Sequence, residues 1–128
     1  MAAMSDYLEN ALVNATLRNT TFTSPANVYV GLFTTDPTDD GSGTEVSGGS
    51  YAREIGTFGA PANGSTSNDA DIQFNQATAN WGTITHFGIF DALTSGNLLY
   101  HGILTSSKTI ETGDVFKFAT GSLVVTLE

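Results

Sequence analysis

A chain of 128 residues without cysteine has the length of one domain, and neither disulfides nor thiolate metal sites can contribute to it. Four basic residues, Arg18, Arg53, Lys108 and Lys117, stand against 13 acidic ones for a formal charge of −9. Cations so few and so scattered do not make a phosphate-binding surface, which excludes nucleic acid and an anionic membrane as expected direct partners.

Charged residues make up 13% of the chain, against about 25% in an ordinary globular domain. Thr, Ser, Asn and 14 Gly take their place, a composition that favours strands, turns and neutral hydrogen-bonding surfaces. The opening residues Met1 to Asp6 carry no basic stretch and no apolar run of the kind a signal peptide needs. No apolar run approaches membrane-spanning length, and the missing cysteines fit folding in a reducing cytoplasm.

The first predicted element is a helix over residues 6–18. Ser5 or Asp6 can cap it, Asp6 and Glu9 place negative charge at the positive end of its dipole, and Leu8, Ala11, Leu12 and Ala15 recur at helical spacing. Arg18 closes the last turn, and Asn19-Thr20-Thr21 breaks the pattern. A helix this short does not stand alone in water, so it is expected to dock, on its own domain in preference to a neighbour. Residues 1–27 therefore read as an N-terminal arm with a short helix, and residues 28–128 as a β-sandwich domain.

From Val28 the periodicity changes to that of strands. Val28 to Phe33 is apolar on both faces, as a central strand requires. A long loop is expected from Thr34 to Ser50, a half-exposed strand from Tyr51 to Phe58, and a polar loop from Gly59 to Asn68. Ile72 and Phe74 mark a short strand. Ile84 to Asp91 and Leu98 to Leu104 flank the turn Thr94-Ser95-Gly96-Asn97 and form a hairpin. Val115 to Phe118 and Leu123 to Leu127 complete about seven strands. The fold class that follows is mostly β: an antiparallel β-sandwich with one short N-terminal α-helix.

Residues able to do chemistry are few. His86 and His101 could meet across the hairpin, but Asp91 is the one acid near them in sequence, and a zinc site needs further ligands. Asp36, Asp39, Asp40 and Glu45 suggest a calcium loop, yet their spacing does not follow the alternating ligand pattern that such a loop needs. No nucleophile elbow, phosphate-cradling loop or metalloprotease pair is present. No catalytic residue, metal ligand or cofactor is therefore expected, and the protein reads as a non-enzyme.

Two segments carry a resemblance. Ser5-Asp6-Tyr7-Leu8-Glu9-Asn10-Ala11-Leu12 followed by Val28-Tyr29-Val30-Gly31-Leu32-Phe33-Thr34-Thr35-Asp36-Pro37 is one. Trp81 to Asp91, ending Gly88-Ile89-Phe90-Asp91, followed by Gly96-Asn97-Leu98-Leu99-Tyr100-His101-Gly102, is the other. Together they resemble a family of small structural proteins of tailed phages and prophages, variously tail-fibre-like or related to capsid cement proteins. The resemblance implies a bacteriophage virion protein made in the host cytoplasm.

The expected role is that of a cement or decoration subunit on the phage head, bridging major capsid subunits as a trimer or another small symmetric oligomer. Strong acidity suits the outer capsid surface better than the DNA-facing interior. The alternative is a tail-fibre or tail-tip protein in contact with other tail proteins, binding a receptor or glycan through Tyr29, Tyr51 or Trp81. Intersubunit contact is expected first at the arm, through Tyr7, Leu8, Leu12 and Leu17.

Overall fold

The computed structural model describes residues 2–127. Strand β1 (Ala2–Met4) is followed by helix α1 (Asp6–Leu17) and then by β2 (Val28–Phe33) and β3 (Glu54–Gly56). Next come β4 (Ser65–Ser67), β5 (Ile72–Gln73), β6 (Gly82–Phe90), β7 (Leu98–Ile110), β8 (Lys117–Phe118) and β9 (Val124–Thr126). The chain is mostly strand with one short helix, the class its periodicity indicates. β1, β7, β6, β2 and β3 pair in that order as one antiparallel sheet, while β4 with β9 and β5 with β8 form two short antiparallel ribbons.

The ribbons cover one face of the large sheet. Val30 and Leu32 from β2 and Ile84, Phe87 and Ile89 from β6 pack in one cluster with Ile72, Phe118 and Val125 from the ribbons. Phe74, Phe116 and Phe118 stack edge-on at 5.0 to 6.4 Å, and Phe87 of the large sheet meets Phe118 at 6.2 Å. Such edge-to-face pairs place ring edges on the electron-rich faces of their neighbours, which adds to the area they bury.

Ile84 and Phe87 are an odd number of residues apart, yet both face this core. A register shift between Ile84 and His86 reconciles them: Ile84 pairs with Lys108 but His86 with Ile103, so β7 carries extra residues opposite Thr85. A bulge of this kind turns the strand and resets which side chains face inward. A second shift, between Ile89 and Phe90, leaves Leu99 as an extra residue on β7. Leu98 and Leu99 are therefore both buried although they are neighbours.

The opposite face of the sheet holds a smaller cluster of Phe33, Phe90 and Leu98. Phe87 and Phe90 thus face opposite sides, as a central strand buried on both faces allows. Here Gly31 pairs with Gly88. A Cβ on Gly88 would lie 2.9 Å from both Phe33 and Leu98 side-chain atoms, and one on Gly31 would lie 2.7 Å from Glu45 Oε2. Only glycine lets these groups approach the backbone so closely.

Several elements depart from expectation. The strand expected over Tyr51 to Phe58 shrinks to Glu54–Gly56, and the one expected over Val115 to Phe118 shrinks to Lys117–Phe118. β7 instead runs on to Ile110, well past Leu104. The polar loop Gly59 to Asn68 contains β4, and β1 joins β7 through the pairs Ala2 with Gly102 and Met4 with Tyr100.

Candidate functional site

α1 starts where β1 ends, and Ser5 fixes the junction. Its hydroxyl accepts the Leu8 N–H, as a helix N-cap should, and donates to the Leu98 carbonyl, while its backbone N–H reaches the Leu99 carbonyl. Asp6 N–H donates to the Asp39 carbonyl. The helix ends at Leu17, with the Arg18 N–H bonded to the Asn14 carbonyl and Asn19 in the left-handed region at φ 54°.

Of the four arm residues singled out from sequence, Leu8 is buried against its own domain and Leu12 is half-buried, while Tyr7 and Leu17 are exposed. α1 therefore docks through the Leu8 and Leu12 side. Val13 and Leu17, one turn apart and so on one face, are 52% and 80% exposed. Val13 escaped the sequence reading because it falls outside the Leu8–Leu12 stripe. Its spacing of four from Leu17 is the signal that could have found it.

A second exposed apolar feature lies on the long hairpin. Between β7 and the ribbon strands β8 and β9 opens a cleft of 620 Å³. Phe87, Phe116, Phe118 and Leu123 line it, and Ile103 and Val124, 62% and 47% exposed, stand at it. Lys108 and Lys117 also line it. Lys117 lies 3.6 Å from Asp71.

The most constrained polar group is Arg53. Its Nε and Nη2 donate to the two carboxylate oxygens of Glu45 at 2.9 and 2.8 Å, and its Nη1 donates to the Ala92 and Ser95 carbonyls at 3.0 and 2.8 Å. The guanidinium carbon sits 3.5 Å from the centre of the Phe90 ring. Tyr51 completes the group, donating to Glu45 Oε2 at 2.6 Å and accepting the Leu32 N–H at 2.9 Å. β3 pairs with β2 only as far as Val30. Tyr51 thus supplies Leu32 with the partner that the strand no longer provides. Burial, followed by the hydrogen bond to Glu45, pushes the Tyr51 phenol far above its ordinary range.

His86 and His101 do lie on one face of the hairpin, opposite Ile103 and Gly88 respectively, but they take separate partners. His86 Nδ1 is 2.7 Å from Thr85 Oγ1. His101 Nε2 is 2.8 Å from Asp39 Oδ1, and its Nδ1 is 3.8 Å from Asp36. The acids near His101 thus come from the long loop. Asp91 instead closes the hairpin turn, accepting from the backbone N–H and the side-chain amide of Asn97.

The carboxylates of the acidic loop also diverge. Asp36 accepts from Thr38 N–H and Asp40 from Ser42 N–H, Asp39 faces His101, and Glu45 holds Arg53. The hydrogen bonds from Thr38 and Ser42 hold Asp40 below the usual carboxylate range. Among the described residues, the carboxylates that come within ligand reach of one another are the exposed Asp6, Glu9 and Asp39.

The aromatics considered for glycan binding are placed differently from expectation. Trp81 is buried, with its indole N–H donated to the Gly49 carbonyl at 2.9 Å, and Tyr51 is committed to Glu45. Tyr29 is half-buried. They form no exposed stacking platform. Among the described residues, no helix is long and apolar enough to cross a membrane.

Residues 3–126 match the model of the family described as Podophage GP4 fiber I protein gp80. The chain belongs to this family. The match runs from β1 to the end of β9 and so takes in the helix, both layers and the long loop. Membership makes the chain a structural protein of tailed-phage virions. No curated protein matches it.

Proposed function

We propose that the chain is a non-enzymatic structural subunit of the phage fibre apparatus, working through contacts with other virion proteins. The observation that carries this reading is the family match, whose description names a podophage fibre protein and which spans the whole β fold. The internal polar chemistry supports it. Arg53, Glu45, Tyr51, Asp91 and Asn68 are each spent on joining segments of the fold, and such groups hold a shape. Among the surfaces left over are the apolar face of α1 and the β7–β9 cleft, both suited to protein contact.

The second reading is a capsid cement protein that bridges major capsid subunits. It rests on the compact two-layer build of residues 2–127 and on the charge of −9, which suits an outer surface. Cryo-electron microscopy of virions labelled with gold-tagged antibody to the chain separates the two. Label on the fibres is expected. Label confined to the head would transfer the protein to the cement role, and purified virions without label would remove both readings.

A further inference from the structure

We propose that copies of this chain associate head to tail, with the outward face of α1 from one copy seated in the β7–β9 cleft of the next. Two unpartnered apolar surfaces stand on one protomer. One is convex, the Val13–Leu17 pair with 52% and 80% exposure, and the other is concave, the 620 Å³ cleft with Ile103 and Val124 beside it. The helix cannot fill the cleft of its own chain. β1 runs antiparallel to β7 from Gly102 towards Tyr100, and α1 begins beside Leu98 and Leu99, so the chain is moving away from Ile103 and Lys108 when the helix starts.

Charge selects the pairing. The protein carries −9 overall, so most of its surface repels a second copy. Of its four basic residues, Arg53 is locked to Glu45 and two carbonyls, and Arg18, whose backbone N–H caps α1, is exposed beside Leu17 and outside the cleft. The remaining two, Lys108 and Lys117, both line the cleft. The first turn of α1 carries Asp6 and Glu9, both exposed, with Glu9 one turn before Val13 and Asp6 two turns before it. An acidic, apolar helix face therefore meets an apolar cleft flanked by Lys108 and by Lys117, which would be shared with Asp71. A contact between two different patches is heterologous, so it generates a ring when the rotation closes and a filament when it does not.

The test uses Leu17→Asp and Ile103→Asp, both at exposed positions, with far-UV circular dichroism to verify that each variant keeps the fold. Sedimentation velocity of the wild-type protein is expected to give a mass that rises with concentration above that of one protomer. Each variant alone should associate at least about tenfold more weakly, equal to about 1.4 kcal/mol. Mixing the two is the deciding step. Leu17→Asp keeps an intact cleft and Ile103→Asp an intact helix, so together they should form a one-to-one dimer that grows no further. The pair Lys108→Glu and Lys117→Glu, combined in one chain, should weaken association to a similar degree. A wild-type protein that stays monomeric, a complex forming only with another virion protein, or a mixture of variants that yields no dimer would each overturn the proposal.

Discussion

Replacing Arg53 by alanine should be among the most damaging single changes to the fold. Its side chain is only 9% exposed, and its partner Glu45 is 23% exposed. The substitution removes two charge-assisted bonds to Glu45, two to the Ala92 and Ser95 carbonyls, and the cation over Phe90. Breaking a buried pair from one side costs about 3–5 kcal/mol because it strands the other charge. Glu45 keeps the Tyr51 hydroxyl and some solvent, so the lower end applies, about 3 kcal/mol. At roughly 4 °C per kcal/mol for a domain of this size, Tm should fall by about 12 °C. Arg53→Lys should recover little, since an ammonium cannot make the bidentate contact or lie flat on the Phe90 ring. Chemical denaturation of R53A, E45Q and the double variant gives the cycle, with a coupling of about 2 kcal/mol expected. A loss under about 1 kcal/mol for R53A, or additive effects in the cycle, would refute the view that this ion pair fastens the long loop to the sheet.

Tyr51 and Tyr100 both have phenols raised by burial, so their unfolded forms ionise first. Stability should hold below pH about 10 and fall as pH rises past it, and urea titrations of Tyr51→Phe between pH 9 and 11 should show a shallower fall than wild type. Asn68 is buried, donates to the Ala70 and Ala119 carbonyls and accepts the Leu123 N–H; Asn68→Leu orphans the Ala70 carbonyl and the Leu123 N–H, while Ala119 keeps Ser122, and should cost about 2 kcal/mol in urea denaturation. Gly88→Ala places a methyl 2.9 Å from Phe33 and Leu98 atoms and should destabilise by about 1–3 kcal/mol, with unchanged stability meaning that these side chains are free to shift.

Local signals account for what the sequence made legible. Ser5 caps the helix that begins at Asp6, and β2 is the doubly buried central strand that its unbroken apolar run implies. The hairpin turn holds Ser95 and Gly96 at positive φ, as the Ser-Gly pair suggests. What escaped is set by partners distant in the chain. Ala2-Ala3-Met4 has no strand preference of its own and is extended because β7 offers it a free edge. Ser65-Thr66-Ser67 has no apolar residue and pairs because β9 lies beside it. Tyr51 and Arg53 alternate like strand residues, yet both turn to Glu45, so pairing with β2 is confined to Glu54–Gly56. Trp81, which a glycan-binding tip would have to expose, instead turns inward, and its indole reaches the Gly49 carbonyl.

The same long-range dependence decides how the arm can be probed. Deleting residues 1–20 would seem the direct way to ask whether the helix makes contacts between subunits. Such a deletion also strips β1 from β7 and removes the buried Ala2 and Leu8. It exposes an unpaired strand edge, which is itself prone to new association. Loss of assembly would then report on the sheet, and gain of assembly on its bare edge. Ser5 ties the helix to the Leu98 and Leu99 carbonyls, so α1 is held at a fixed angle and its outward face is presented ready-formed. A preformed face loses less freedom on binding than a loose arm would. Leu17→Asp changes that face while leaving Ser5, Leu8 and β1 untouched, which makes the point substitution the cleaner probe of the helix.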